Sequence, residues 1–149
     1  MPNSNPLDVL NAYIKQHKLR RTYERERVLE YILTIDGHFT IQSVHEEMNK
    51  ETPISRGSIY NIIELFLNAG IVVRHPFAGA EAEYETTMRA STHHHRICTS
   101  CGAIKEFSDQ KFSRAIKNRT FASFKPKFHS IYIYGLCKKC QPKIKKTKK

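Results

Sequence analysis

Acidic side chains are scarce in this chain of 149 residues: fourteen Asp and Glu stand against twenty-five Lys and Arg, a formal charge of +11. That surplus points to an acidic partner, nucleic acid being the commonest. Long apolar runs are missing, with no window approaching the ~18 consecutive apolar residues of a membrane span. The start, Met1-Pro2-Asn3-Ser4-Asn5-Pro6, also lacks the basic and apolar stretches of a signal peptide. A cytoplasmic protein without membrane association is expected. Cysteine is limited to four residues in two CxxC pairs, which in a reducing compartment favours metal ligation over disulfides. No HExxH and no nucleophile motif occurs. The length suits one ordinary domain or two small ones and excludes a large catalytic barrel.

The charge is unevenly placed. Residues 1–80 hold nine basic and nine acidic side chains, so residues 81–149 carry the whole excess, five lysines of it in 143–149. Within the neutral half, Lys15, Lys18, Arg20, Arg21, Arg25 and Arg27 form a local basic cluster opposed by Glu24 and Glu26. Such a cluster is suited to phosphates.

Apolar residues at Leu7, Leu10 and Ile14, then Val28, Leu29, Ile32 and Ile35, mark two helices, the second ending at Asp36-Gly37. Thr40 can cap a third helix bearing Ile41, Val44 and Met48, which stops before Thr52-Pro53. Ser55 can cap a fourth, whose Ile59, Ile62, Ile63 and Phe66 share one arc and which closes at Gly70. Residues 71–75 and 82–86 then read as a hairpin around a turn at 76–80. Short helices followed by a hairpin describe a winged helix-turn-helix, in which the last helix enters the major groove. Gly57, Asn61, Glu64 and Asn68 point away from the core, with Ser58 and Tyr60 on the flanks; Tyr60 and Asn61 can reach base edges, and Arg56 bases or phosphate. A packing role for Tyr60 is the alternative.

Beyond a link at 88–92 the pattern changes to strands at 95–98, 103–107 and 129–134, with a helix at 109–118. The chain is thus expected to be α+β, a winged helix-turn-helix followed by a small α/β unit. Cys98-x-x-Cys101 and Cys137-x-x-Cys140 can complete a closed tetrahedral Zn2+ site, a structural staple for a unit with few large apolar residues. Unligated or redox-active thiols are the alternative, although Gly102 leads into a strand where a thioredoxin-like CxxC opens a helix. His93-His94-His95 alternates on a strand, so His93 and His95 share a face and His94 points away. Candidate partner ligands are His38, His75, Glu85, Glu106 and His129; imidazole and carboxylate suit Fe, Zn, Mn or Ni. A solvated histidine run is the alternative.

The order Ser55-Arg56-Gly57-Ser58-Ile59-Tyr60-Asn61, His93-His94-His95-Arg96-Ile97-Cys98-Thr99-Ser100-Cys101-Gly102, Ile104-Lys105-Glu106-Phe107 and Ile131-Tyr132-Ile133-Tyr134-Gly135-Leu136-Cys137 closely resembles the ferric uptake regulator family of bacterial metal-responsive repressors, over roughly residues 7–140. The resemblance implies a homodimer that binds a palindromic double-stranded DNA operator. The winged helix is expected at 1–87, the hinge at 88–92 and the dimerization and metal-binding unit at 93–142; a lysine-rich tail at 143–149, expected to be disordered, lies outside the resemblance. The resemblance implies structural Zn2+ on Cys98, Cys101, Cys137 and Cys140, and a regulatory ion on His38, Glu85, His93, His95 and Glu106. His94 and His129 correspond to an additional site in some members, but Thr92 and Ser113 stand where a His and a Glu are expected. His75 is left as an ordinary polar residue. Arg20 resembles a basic residue placed in a minor groove, and Asn61 replaces a common Arg. The peroxide-sensing branch has Asp where Glu85 stands, which favours Fe2+ as the sensed ion, with Mn2+ or Zn2+ as alternatives. The competing classes are a zinc-responsive or peroxide-sensing member, a metal-dependent hydrolase using His93 and His95, and a zinc-ribbon protein-binding scaffold.

Overall fold

The computed structural model describes residues 4–77 and 79–142; the lysine-rich stretch at 143–149 lies outside them. Helix α1 (Pro6–Gln16) starts where Asn5 Oδ1 accepts from the Leu7 amide and Pro6 occupies the first turn. Thr22 caps α2 (Tyr23–Thr34), Thr40 and Ser43 form a reciprocal capping box on α3 (Ile41–Asn49), and Ser55 caps α4 (Arg56–Ala69). Gly70 closes α4 with φ 77°, a left-handed conformation that an L side chain resists.

The apolar stripes converge as their periodicity requires. Leu10, Ile14, Val28, Leu29, Ile32, Val44, Met48, Ile59, Ile62, Ile63 and Phe66 pack into one core with Val72 and Tyr84. Leu7, expected on the first stripe, is 40% exposed. Strands β1 (Val72–Arg74) and β2 (Tyr84–Thr86) pair antiparallel, Val73 opposite Glu85. The paired strands are shorter than the sequence suggests, although the His75 N to Glu83 O bond of 2.9 Å continues the contact one residue beyond Arg74. Phe39 forms a bridge to Tyr84 on the other edge, tying the loop before α3 to β2.

The segment expected as a link contains one helical turn, α5 (Thr87–Ala90). After it, β3 (His94–Cys98) is the centre of a three-stranded sheet in the order β4-β3-β5, with β4 (Ile104–Phe107) antiparallel and β5 (Tyr132–Gly135) parallel to it. The last strand begins at Tyr132, opposite His95 of β3, rather than at 129. Helix α6 (Gln110–Lys117), capped by Asp109, has no buried residue. The buried apolar side chains of the sheet unit are Ile97 and Cys98 alone among the described residues. Among those residues, no helix is long and apolar enough to cross a membrane.

Candidate metal centres

The four cysteines converge where the turn after β3 meets the turn after β5. Their ligand atoms lie within 4.8 Å of one another, and Cys101 Sγ is 3.7 Å from Cys137 Sγ. Four sulfurs each ~2.3 Å from a tetrahedral Zn2+ would be spaced by about 3.8 Å, whereas a disulfide needs ~2.05 Å. The Cys101 amide (3.5 Å) and Cys137 amide (3.4 Å) both donate to Cys98 Sγ and hold its pKa down to about 6. A contact with Ser100 lowers the Cys140 pKa, but its sulfur neighbours outweigh it and push the thiol up to about 12. The crowded sulfurs cannot all shed their protons without a cation. The donor set and its spacing therefore fit structural zinc.

The second cluster is built by strand register. In the sheet, His95 is directly opposite Glu106 of β4 and Tyr132 of β5, so these three side chains form one row. In the hairpin, Glu85 is opposite Val73, which places it diagonally beside His75. His38 is delivered by the bridge at Phe39. His93, just before β3, shares the face of His95.

Two overlapping donor sets, each with its ligand atoms within 4.8 Å, share His38 and His95: one adds His75 and Glu85, the other His93 and Glu106. His38 Nε2 is 3.1 Å from His95 Nε2, 3.4 Å from Glu85 Oε2 and 3.7 Å from Glu106 Oε1. His93 Nε2 is 2.9 Å from Glu85 Oε1 and 3.6 Å from Glu106 Oε1. Ligand atoms ~2.0–2.2 Å from a common ion lie about 3.0–3.5 Å apart when adjacent. The His93–Glu85 pair is close but out of line for a hydrogen bond, so His93 Nε2 and Glu85 Oε1 are both buried without a partner. Two orphaned polar atoms facing one another are what a cation would satisfy. The cluster thus fits a divalent ion of intermediate hardness.

Burial alone would raise the Glu85 pKa, yet hydrogen bonds from His38 and His75 and the field of His93 hold it well below the carboxylate range. The same hydrogen bond to Glu85 raises His38 despite desolvation. Burial, reinforced by His75, lowers His95 to about 4, so this imidazole is neutral and its nitrogen lone pair free to coordinate. Arg89 of α5 pairs with Asp36, and its Nε stands 3.5 Å from Glu85 Oε1.

His75 is the residue that sequence reasoning underrated. It is 3% exposed, its Nε2 is 2.6 Å from Glu85 Oε2, and its Nδ1 is 2.6 Å from the Tyr132 hydroxyl. The available signal was its position two residues after Val73, on the face of the hairpin that carries Glu85. His94 points to the other side, against Phe107 and Phe112, with Nε2 3.5 Å from Ser113 Oγ. Both ring nitrogens of His129 lack a partner. No third His, Cys, Asp or Glu stands with His94 and His129 among the described residues.

On the helical face, Arg20, Arg56, Tyr60 and Asn61 are exposed, while Arg25 and Ser58 are half-buried. Arg25 bonds to the Arg20 carbonyl, and Ser58 Oγ accepts from Ser55 Oγ at the start of α4. Arg27 departs from the expected basic cluster: it is buried and donates to the Met48 carbonyl at 3.2 Å. Arg21 is paired with Glu26 at 2.7 Å.

A family model described as "Ferric uptake regulator family" matches residues 16–134. The peroxide-responsive repressor PerR of Staphylococcus aureus (strain Mu50 / ATCC 700699) is 28% identical over 134 residues, covering 89% of each chain. The Helicobacter pylori ferric uptake regulator Fur, whose structure is described as revealing three functional metal binding sites, superposes with TM-score 0.63 at 24% identity over 92% of each chain. The ferric uptake regulator from Pseudomonas aeruginosa with manganese superposes with TM-score 0.65 at 23% identity, over 87% of this chain and 98% of that one. The last two comparisons establish the shared fold. With the matched family model extending from α1 to β5, this chain belongs to the ferric uptake regulator family of transcriptional regulators.

Proposed function

We propose that this regulator is a repressor, not an enzyme, that binds a palindromic operator as a homodimer when Fe2+ occupies the histidine–carboxylate cluster and Zn2+ occupies the cysteine site. The observation that carries the reading is the convergence of donors from both parts of the chain: His38 and Glu85 come from the winged helix, and His93, His95 and Glu106 from the sheet. The cluster is complete only when the two parts are docked. Bound there, a divalent ion would satisfy Glu85 Oε1 and His93 Nε2, which lack hydrogen-bond partners. Its affinity for the docked form over the undocked one sets how far the population of winged-helix positions can move.

The assignment treats residues 1–87 as the DNA-reading part, 88–92 as the hinge and 93–142 as the dimerization part. Support for the DNA surface is the exposure of Arg20, Arg56, Tyr60 and Asn61, with Arg25 and Ser58 beside them. Support for dimerization is the uncovered apolar surface of the sheet part. Phe112 is 48% exposed on α6, Ile133 and Tyr134 are exposed on β5, an edge strand, and Leu136 is exposed just after it. An additional metal at His94 and His129 would have two protein ligands and depend on water for the rest. Peroxide sensing is the second reading, favoured by the similarity to the staphylococcal repressor; Glu85 in place of Asp argues for the metal sensor.

The deciding experiment is operator binding by the zinc-loaded protein with and without Fe2+, Mn2+ or added Zn2+. The expected result is tighter binding with the sensed ion, and equal affinity in every case defeats the proposal. Loss of binding on exposure of the Fe2+ form to hydrogen peroxide would select the peroxide sensor.

A further inference from the structure

Glu85 has two carboxylate oxygens with different surroundings. Oε2 accepts a 2.6 Å hydrogen bond from His75 Nε2, with His38 Nε2 farther away at 3.4 Å, and the His75 and Glu85 side chains are fully buried. Oε1 faces His93 and has no hydrogen-bond partner. The other nitrogen of His75, Nδ1, is 2.6 Å from the hydroxyl of Tyr132. A carboxylate can only accept, so Nε2 carries the proton; Nδ1 is then free to accept from the Tyr132 O–H. The donors and acceptors balance along the Tyr132 hydroxyl, the His75 ring and Glu85 Oε2.

This geometry separates His75 from the ligands around it. Its 2.6 Å approach to Glu85 Oε2 is shorter than the ~3 Å between adjacent ligands of one ion and is that of a charge-assisted hydrogen bond. Both ring nitrogens are already used, which leaves no lone pair for a metal. The chain also crosses the molecule: Tyr132 lies on β5 opposite His95, whereas His75 and Glu85 belong to the hairpin.

We propose that Tyr132 and His75 are positioning residues that hold Glu85 Oε2, so that Glu85 offers Oε1 alone to the ion, and that they do so only while the hairpin is docked on the sheet. This rests on reading Glu85, His93 and His95 as metal ligands. The relay presets the tautomer of His75 and the rotation of the carboxylate before an ion arrives. Partners of this kind typically alter metal affinity by about 10–100-fold when removed.

The test uses the full-length, zinc-loaded protein, with Mn2+ affinity and the visible absorption of bound Co2+ as readouts. The variants are Tyr132→Phe, His75→Phe, His75→Gln and His93→Ala, each with its thermal melt recorded. Tyr132→Phe removes only the hydroxyl and should weaken Mn2+ binding by about tenfold, and His75→Phe by up to about a hundredfold. Both should shift the Co2+ bands as the second oxygen of Glu85 is released. His75→Gln, whose amide can still donate to Oε2, should recover part of the loss. Wild-type affinity and spectra in both Tyr132→Phe and His75→Phe, with His93→Ala deficient, would overturn the relay and leave the ligand assignment standing. A loss in His75→Phe as complete as in His93→Ala, with Tyr132→Phe silent, would make His75 a ligand and also overturn it. Unchanged metal binding in His93→Ala would instead defeat the ligand assignment on which the relay rests.

Discussion

His38 Nε2 stands 3.1 Å from His95 Nε2, across fifty-seven positions of sequence. One imidazole is contributed by the loop before α3 and the other by the central strand of the sheet. Hydrogen bonding to Glu85 raises His38 and burial lowers His95 to about 4, so a proton on this pair resides on His38 when no ion is bound. A divalent ion can replace that proton.

The first expectation concerns this pair. In the wild type, the sensed ion should tighten operator binding by about 5–150-fold, the usual range of coupling between two sites. His38→Ala removes a proposed ligand from the winged-helix side while leaving His93, His95 and Glu106 in place, so most of that gain should disappear. Fluorescence anisotropy of labelled operator, with metal-free affinity as the reference, checks it. A full metal response in His38→Ala would show that His38 does not couple the two parts.

A second expectation follows from the thin interior of the sheet part, where only Ile97 and Cys98 are buried apolar residues among those described. Cys137→Ser should remove the zinc and loosen the parallel β3–β5 pairing that ends at Cys98 and Gly135. Zinc binding energies of ~10–16 kcal/mol in small finger peptides show the scale of folding at stake. Metal analysis and hydrogen exchange at β5 measure the two effects, and intact protection without zinc would count against a structural role.

Acid should destabilise the zinc-loaded protein when its inner cluster is metal-free. The folded-state pKa of His95 is depressed from 6.5 to about 4, so the unfolded chain takes up the proton more readily. Its contribution is complete above pH 6.5 and is lost as pH falls toward about 4. Burial lowers His129 as well, adding to the same slope. His38, being raised, contributes fully below 6.5 and loses its contribution only as pH rises through its folded pKa, so it cannot offset this loss. Thermal melts across this range, compared with His95→Phe, should show a flatter acid limb in the variant.

The DNA surface gives a fourth expectation. Asn61→Ala should weaken operator binding by about 1–3 kcal/mol if its amide reads a base edge, with little change on unrelated DNA. Arg20→Ala should weaken binding to all sequences and reduce the salt slope by about 1. Competition assays at several salt concentrations separate these behaviours. A selective loss of operator preference in Arg20→Ala would place that side chain at a base.

The helical part was legible because periodicity and capping act locally. Ser55 and Gly70 bracket α4, and the apolar arc between them does face the core. Leu7 and Arg27 were not legible: one apolar residue at a helix start stays exposed, while one arginine inside the basic run turns inward to the Met48 carbonyl. Which neighbour covers a helix face depends on packing that spacing cannot specify. The alternation of His93, His94 and His95 was legible for the same local reason that every strand has two faces.

The sequence by itself determined the two CxxC pairs, the histidine run and the order of a winged helix before a small α/β unit, since each is written in adjacent residues with fixed spacing. Only the tertiary structure decided that His75 belongs beside Glu85 and that Tyr132 reaches it. Those contacts depend on strand register and on the hairpin meeting the sheet, and register couples residues that no local pattern connects. A one-residue slip of β5 would turn the Tyr132 hydroxyl to the opposite face with little change in the sequence signal for a strand.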